Sequence, residues 1–127
     1  MAFSRWAAPM FGVIAVVLAL AGLWLGFIAP EDYQQGDTVR IMFIHVPAAW
    51  MSMFVYACLG GASFLALVFR HALADAAAQA AAPLGAAFTV LALATGALWG
   101  RPMWGAWWVW DARLTSVLVL LLFYLAY

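Results

Sequence analysis

The chain has 127 residues, of which 70% are hydrophobic and 8% are charged, and its formal net charge at pH 7 is zero. In soluble domains about a quarter of all residues are charged, so this composition indicates an integral membrane protein. The balanced charge argues against nucleic-acid binding, which needs a basic patch. A single cysteine, Cys58, cannot form an intrachain disulfide and is predicted to be a small core residue.

The first three apolar stretches are predicted to be complete membrane spans. Residues 10–29 are uncharged and reach about 30 Å as a helix, which is enough to cross the hydrocarbon core. They are interpreted as a retained span rather than a cleaved signal peptide, because Ile28-Ala29-Pro30 is a poor cleavage site. The second span is predicted over residues 47–69 and the third over residues 83–99, each opened by a proline at its first turn.

The connections between the spans differ in composition. Residues 30–46 contain a polar loop and a short apolar run, and residues 70–82 are predicted to be an alanine-rich loop. Two glycine pairs have G-x-x-x-G spacing, which permits close approach of helices, although the pattern is common by chance. These pairs are Gly22 with Gly26 and Gly96 with Gly100.

A fourth apolar run, residues 114–127, reaches only about 21 Å, which is less than the hydrocarbon core requires. We therefore expect the chain to be a fragment of a longer protein. The predicted fold is all-α: a polytopic transmembrane helix bundle with three complete spans and a truncated fourth. Residues 1–127 are predicted to form a single membrane domain with a tryptophan-rich extramembrane loop at residues 99–113.

The loop at residues 99–113 holds five of the eight tryptophans in the chain, together with Arg101, Asp111 and Arg113. An interfacial anchor needs only one or two tryptophans per helix end. The density of rings beside arginines favours a surface for a flat apolar ligand with anionic groups. From the residues alone, an anchor and a ligand platform remain about equally plausible.

Three residues argue against one continuous helix through this loop: Gly100, Pro102 and Gly105. A short helix starting near Ala106 is predicted instead. It would place Trp107, Trp108 and Asp111 on one face. Asp111 is expected to fix Arg113 or to cap a helix end.

His45 is the principal candidate for metal ligation. It precedes Pro47 at the mouth of the second span, and the parity of the spans puts it on the side of the tryptophan loop. A neutral imidazole is a good axial ligand for haem iron, whereas the alternative is a polar anchor. His71 lies across a whole span, where its ring is expected to cap the last carbonyls of a helix beside Arg70. The counts of arginines do not decide which side is cytoplasmic.

Two segments of the chain carry a family resemblance. They are Trp99-Gly100-x-Pro102-Met103-Trp104-Gly105-x-Trp107-Trp108-Val109-Trp110-Asp111-x-Arg113-Leu114-Thr115-Ser116 and Arg40-Ile41-Met42-Phe43-Ile44-His45-Val46-Pro47-Ala48-Ala49-Trp50. Together they resemble the CcmC branch of the tryptophan-rich "WWD" haem-handling family, also called haem exporter protein C. The WWD motif is also found in related proteins of the CcmF and CcsA types, whereas its combination with the histidine segment is more specific. The resemblance covers nearly the whole chain.

The resemblance implies a six-span protein of the bacterial inner membrane whose WWD loop and histidine loops face the periplasm. It implies that haem b, bound as cargo, is presented to the chaperone CcmE, with CcmD and the CcmAB ABC transporter as partners. His45 would be one axial ligand of the iron, and the second would come from a histidine after a fifth span, beyond Tyr127. The implied cofactor-binding residues are His45, Trp99, Arg101, Trp104, Trp107, Trp108, Trp110, Asp111 and Arg113.

The residues predict no enzyme, because no nucleotide-binding loop, nucleophile–base pair or carboxylate pair appears in the sequence. Two other classes of function stay open. One is a structural or assembly subunit whose tryptophans anchor it at the membrane interface. The other is an electron-transfer cytochrome, although this usually needs histidines that face each other inside the bundle. A haem absorbance band distinguishes the haem-delivery hypothesis from the anchor, and transfer to CcmE distinguishes it from the cytochrome.

Overall fold

The computed structural model describes residues 2–127, with side chains from Arg5 onward, and this part of the chain contains helices but no strands. The elements are α1 (Ala2–Phe27), α2 (Val39–Phe69), α3 (Ala72–Trp104) and α4 (Ala112–Ala126). The first three are long and apolar enough to cross a membrane, at about 39, 46 and 50 Å. Helix α4 reaches about 22 Å. The all-α fold with three long spans and a shorter apolar fourth helix is confirmed.

The chain divides into two compact units, and the first, Met1–Phe43, contains α1 and a polar loop. The loop is tied down by its own side chains. The Asp32 carboxylate accepts the backbone N–H groups of Gln34 and Gln35, both at 2.9 Å. Arg40 donates from Nε to the carbonyl of Ala29 at 3.2 Å and pairs with Asp37 at 2.8 Å. These bonds satisfy polar groups where α1 ends and α2 begins.

The second unit, Ile44–Tyr127, contains most of α2 and the whole of α3 and α4. The Tyr124 hydroxyl donates to the carbonyl of Ser52 at 2.6 Å, and the Tyr124 ring lies so close to Gly85 that a methyl group there would overlap it. This tyrosine therefore links α4 to α2 and α3. The buried core around it comprises Val55, Leu59, Ala78, Ala82 and Tyr124. The single membrane domain expected from the sequence stays a prediction.

Large apolar side chains lie mainly on the outer faces of the helices, as lipid contact requires. Leu67 on α2 is 81% exposed, for example. Cys58 is also exposed on α2, so its predicted place in the core is wrong. Where lipid replaces water outside the helices, an apolar residue gains little by turning inward.

The second span was predicted to open at Pro47, but α2 begins at Val39 and contains Pro47. Proline removes one backbone donor, and a membrane helix tolerates this when local adjustments satisfy the freed carbonyl. The short apolar run before His45 is therefore the first turn and a half of α2, rather than part of a loop.

The predicted alanine-rich loop at residues 70–82 is also wrong, because α3 begins at Ala72 and contains Pro83. Alanine has the highest intrinsic helix propensity, and a Gln79 to Asp75 side-chain bond of 2.9 Å supports the exposed first turns. Only Arg70 and His71 separate α2 from α3, and Arg70 adopts a positive φ of 52° to reverse the chain.

Candidate functional site

The tryptophan segment is partly helical, in contrast to the loop predicted over residues 99–113. Helix α3 continues through Gly100 and Pro102 and ends at Trp104. Gly105 then adopts a left-handed conformation with φ 79°, and its N–H donates to the carbonyl of Arg101 at 3.0 Å. Such a cap favours glycine, which has no steric penalty at positive φ. The Arg101 guanidinium donates back to the carbonyl of Gly105.

Residues 105–111 are non-helical and connect α3 to α4. The predicted short helix from Ala106 is therefore absent from this connection, and so is the shared helical face proposed for Trp107, Trp108 and Asp111. This connection of seven residues has the glycine cap of α3 at one end and the aspartate cap of α4 at the other.

Asp111 caps α4, as expected from the sequence. Its carboxylate accepts the backbone N–H of Leu114 at 2.7 Å and a bond from Arg113 at 3.2 Å. The Leu114 hydrogen bond, assisted by Arg113, lowers the pKa of Asp111 below its ordinary value, so the carboxylate is ionised at neutral pH. The Arg113 guanidinium also lies over the ring of Trp104, 5.1 Å from its centroid.

The tryptophans form two edge-to-face pairs. Trp99 and Trp104 have ring centroids 4.9 Å apart, and Trp108 and Trp110 have centroids 5.4 Å apart. Trp110 is 75% exposed and Trp107 is 57% exposed, so broad aromatic faces remain open. The structure thus groups Trp99, Trp104, Asp111 and Arg113 through direct contacts, and separately pairs Trp108 with Trp110.

Trp108 carries the one buried side-chain polar atom that lacks a hydrogen-bond partner among the residues with described side chains, its indole Nε1. A buried donor without a partner costs about 1–3 kcal/mol. An N–H in this position can donate to an acceptor outside the described residues, such as an ordered water or a bound molecule.

His45 lies in the second turn of α2 and packs against α3. Its Nδ1 atom is 3.0 Å from the carbonyl oxygen of Ala92 and 3.1 Å from Oγ1 of Thr95. The ring also rests on Gly96, where an added Cβ would lie 3.0 Å from the imidazole Cε1. The side chain is half-buried, and no residue with a described side chain bonds its other nitrogen, Nε2.

Helix α3 connects His45 with the tryptophans. Thr95 and Trp99 are four residues apart on the same face of α3, which corresponds to about 6 Å along the helix axis. The imidazole that contacts Thr95 is therefore about one helical turn from the Trp99–Trp104 pair. The sequence predicted that these groups share a side of the membrane, and the helices place them near each other within one unit.

His71 has a different role from the one expected. Instead of capping the last carbonyls of α2, its Nδ1 accepts the backbone N–H of Ala74 at 3.2 Å and caps the beginning of α3. The ring is exposed and belongs to the opposite end of α3 from Thr95. The two imidazoles cannot ligate one metal ion, because about 36 Å of helix separates their contact points on α3.

His45 is a single imidazole and belongs to no larger group of metal-ligating side chains among the described residues. Across the residues that the structure describes, no group of three or more His, Cys, Asp or Glu side chains is placed to hold a metal. A porphyrin supplies four nitrogen ligands, so its iron needs only one or two axial ligands from a protein. The Nε2 atom of His45, about one helical turn from the Trp99–Trp104 pair, has the chemistry of such an axial ligand.

Sequence reasoning did not identify the partners of His45. These are the carbonyl of Ala92, the Thr95 hydroxyl and the flat surface at Gly96. The only signal in the sequence was the G-x-x-x-G spacing of Gly96 and Gly100, which permitted close approach without identifying what approaches.

Comparisons with known proteins identify the family of this chain. The family model of CcmC, described as Heme exporter protein C, matches residues 1–127. The chain is 63% identical over 117 residues to Heme exporter protein C of Bradyrhizobium diazoefficiens, an alignment that covers 92% of this chain and 44% of the relative. It is 52% identical over 120 residues to the Escherichia coli protein of that name, covering 94% and 49%. The Paracoccus denitrificans protein is 53% identical over 113 residues, covering 89% and 47%.

The chain thus spans about half the length of the curated relatives that it matches. The matched half includes both the His45 segment and the tryptophan segment. Because the family model covers every residue and identity exceeds half in each of these three relatives, the chain belongs to the CcmC family.

Proposed function

We propose that this chain binds haem b as cargo and presents it for cytochrome c maturation. The observation that carries the proposal is the geometry of His45. Its Nδ1 is engaged by α3, whereas Nε2 has no partner among the described side chains and is available as an axial iron ligand. The relatives named Heme exporter protein C support haem as the cargo.

The tryptophan segment would hold the porphyrin. Exposed faces of Trp107 and Trp110 offer apolar contact. The buried Nε1 of Trp108, which has no partner among the described residues, would become a donor for a ligand oxygen after a small movement of the indole ring. Arg101 and Arg113 are exposed beside the tryptophans and could pair with propionates, although each already makes one bond within the segment. Asp111 would act indirectly, by fixing Arg113 and the start of α4.

The proposed setting is the bacterial inner membrane, with His45 and residues 99–113 at the periplasmic face. The proposed partners are the haem chaperone CcmE as receiver, with CcmD and the CcmAB ABC transporter in the same assembly. In this role the chain orients haem and leaves any covalent chemistry to its partner. Three helices long and apolar enough to cross a membrane support the membrane location, and the family relationship supports a place in haem export.

The test is haem retention by the membrane-embedded protein after replacement of either histidine. His45→Ala removes the proposed ligand, so the Soret band should weaken or shift and haem transfer to CcmE should fall by about tenfold or more. His71→Ala is the matched control, because it removes the other imidazole at a helix terminus away from Thr95. It should retain the wild-type spectrum.

Equal behaviour of the two variants would contradict the proposal. A protein that inserts normally but binds no haem in its wild-type form would instead favour the interfacial anchor. Protease resistance of the inserted protein separates loss of folding from loss of the ligand.

A further inference from the structure

The hydrogen bonds of His45 determine which ring nitrogen carries its proton. A backbone carbonyl can only accept a hydrogen bond, and the Ala92 carbonyl oxygen lies 3.0 Å from Nδ1. Nδ1 must therefore be the donor in this contact. In the neutral imidazole, the lone pair then belongs to Nε2.

Thr95 supplies a second acceptor for the same proton. Its hydroxyl donates to the carbonyl of Leu91 at 2.7 Å, one turn back along α3. Because the hydroxyl hydrogen is used in that bond, a lone pair of Thr95 Oγ1 can accept the Nδ1–H of His45. The Nδ1 and Oγ1 atoms are 3.1 Å apart. Thr95 is buried, so water does not readily replace this contact.

We infer that Thr95, together with the Ala92 carbonyl, is a positioning element that fixes the tautomer and orientation of His45 before haem arrives. The inference rests on the proposed function, since it concerns how His45 presents Nε2 to iron. In this arrangement α3 orients His45 for ligation. Thr95 and Ala92 accept the hydrogen bond of Nδ1–H on one side of the ring, and the lone pair of Nε2 lies on the opposite side.

His71 shows that this arrangement is specific to His45. The Nδ1 of His71 accepts the N–H of Ala74, so in its neutral form the proton belongs to Nε2. The two histidines therefore have opposite tautomers. Only His45 combines a satisfied Nδ1–H with an available Nε2 lone pair.

A bond from Nδ1–H to an acceptor also makes the imidazole a stronger electron donor at Nε2. A stronger donor stabilises ferric more than ferrous iron, which lowers the reduction potential of bound haem. Thr95 should thus affect two measurable quantities: haem affinity through the fixed ring orientation, and the haem potential through the basicity of the ligand.

The variants compare two buried threonines of α3. Thr95→Val removes the acceptor and keeps the side-chain shape, whereas Thr95→Ser keeps the hydroxyl. Thr89→Val is the matched control, because Thr89 is buried and donates to the carbonyl of Gly85 at 2.7 Å but does not contact an imidazole. Haem affinity and the midpoint potential are measured on each protein in nanodiscs.

Thr95→Val should weaken haem binding by about threefold to tenfold, as expected for one neutral hydrogen bond, and should shift the potential in the positive direction. Thr95→Ser and Thr89→Val should stay within about twofold of wild type in affinity, because neither removes an acceptor from His45. Identical affinities and potentials for Thr95→Val and Thr89→Val would overturn the inference.

A second measurement needs no haem and no threonine variant. Nitrogen NMR of histidine-labelled, haem-free protein, with His45 assigned through His45→Gln, should show Nδ1 protonated and Nε2 unprotonated. His71 should show the opposite pattern. Protonation of His45 at Nε2 in the haem-free protein would overturn the inference even if Thr95→Val failed to fold.

The two proposals can fail separately. If His45→Ala leaves the haem spectrum unchanged, the proposed ligation is wrong, whatever the state of the tautomer. If His45→Ala abolishes the spectrum but Thr95→Val matches Thr89→Val, ligation by His45 stands and the positioning role of Thr95 is wrong.

Discussion

At the residue scale, the tryptophan segment contains side chains that stabilise its own backbone and one indole N–H, that of Trp108, with no partner among the described residues. Arg101 near the end of α3 donates to the Gly105 carbonyl, and Asp111 accepts the N–H of Leu114 at the start of α4. Trp108 differs, since its buried Nε1 meets no hydrogen-bond partner in the part of the chain that the structure describes. A polar atom that costs stability in the free protein is a reasonable place to expect an intermolecular hydrogen bond.

Replacement of Trp108 by phenylalanine should therefore affect stability and binding differently. The substitution removes an unsatisfied donor that costs about 1–3 kcal/mol, which offsets part of the packing lost with the larger ring. Thermal stability should change little, whereas haem retention should decrease.

The control is Trp24→Phe on α1, where the side chain is 65% exposed and outside the proposed site. Trp24→Phe should change neither the thermal stability nor the haem retention. Melting curves and Soret absorbance of the same samples provide the two measurements, and a Trp108→Phe protein with unchanged haem retention would remove this N–H from the proposed mechanism.

At the scale of single elements, α3 organises the site. Its first part carries the core residues Ala78 and Ala82, its middle contacts His45, and its end carries Trp99 and Trp104. Its small and hydroxyl-bearing residues permit close packing and satisfy their own polar groups by bonding back along the helix. One continuous helix thus determines the spacing between the imidazole and the aromatic rings.

Gly96→Ala tests that spacing. The added methyl would lie 3.0 Å from Cε1 of His45, so the imidazole must shift by a few tenths of an ångström or α2 must move. Overpacking of this kind typically costs about 1–3 kcal/mol. Haem binding should weaken, and the Soret band should broaden or shift, because the ligand is displaced.

Gly60→Ala on α2 is the matched control for the glycine substitution. A methyl group added at Gly60 would meet no atom of another helix within 4 Å, so this variant should keep the wild-type spectrum and gain up to about 1 kcal/mol of helix stability. Unchanged haem binding in Gly96→Ala, measured by titration, would show that the contact between α3 and His45 does not constrain the ligand.

At the scale of the whole molecule, the two ends of α3 carry different chemistry. The short link at Arg70 and His71 lies at one end of α3, and residues 105–111 lie at the other. An α3 of about 50 Å exceeds the hydrocarbon core, so these two links are expected on opposite sides of a membrane. The proposed function requires residues 105–111 to face the periplasm.

Cysteine accessibility in intact cells tests this orientation. In a Cys58→Ser background, Val109→Cys should react with a membrane-impermeant maleimide, since Val109 is exposed between α3 and α4. Ala72→Cys, at the exposed start of α3, should react only after the membrane is permeabilised. The reverse pattern of labelling would place the tryptophan segment on the cytoplasmic side and contradict delivery to a periplasmic partner.

Much of the helical architecture could be predicted from hydrophobicity alone. Long uncharged runs have few alternatives to membrane helices, because lipid leaves no partner for unpaired backbone groups. Helix ends were predicted less well. Pro47 and Pro83 were interpreted as the first residues of helices, and the alanine-rich start of α3 was interpreted as a loop. A sequence pattern does not show whether neighbouring turns satisfy the carbonyl that a proline inside a helix leaves without a donor.

The sequence by itself determined the membrane character of the chain, the identity of His45 as a candidate ligand and the composition of the tryptophan segment. These follow from residue types and their spacing along the chain. Tertiary structure decided that His45 meets Ala92, Thr95 and Gly96, and that Tyr124 holds α4 against α2 and α3. Such contacts join residues up to 72 positions apart, and they depend on how helix faces pack, which no local pattern specifies.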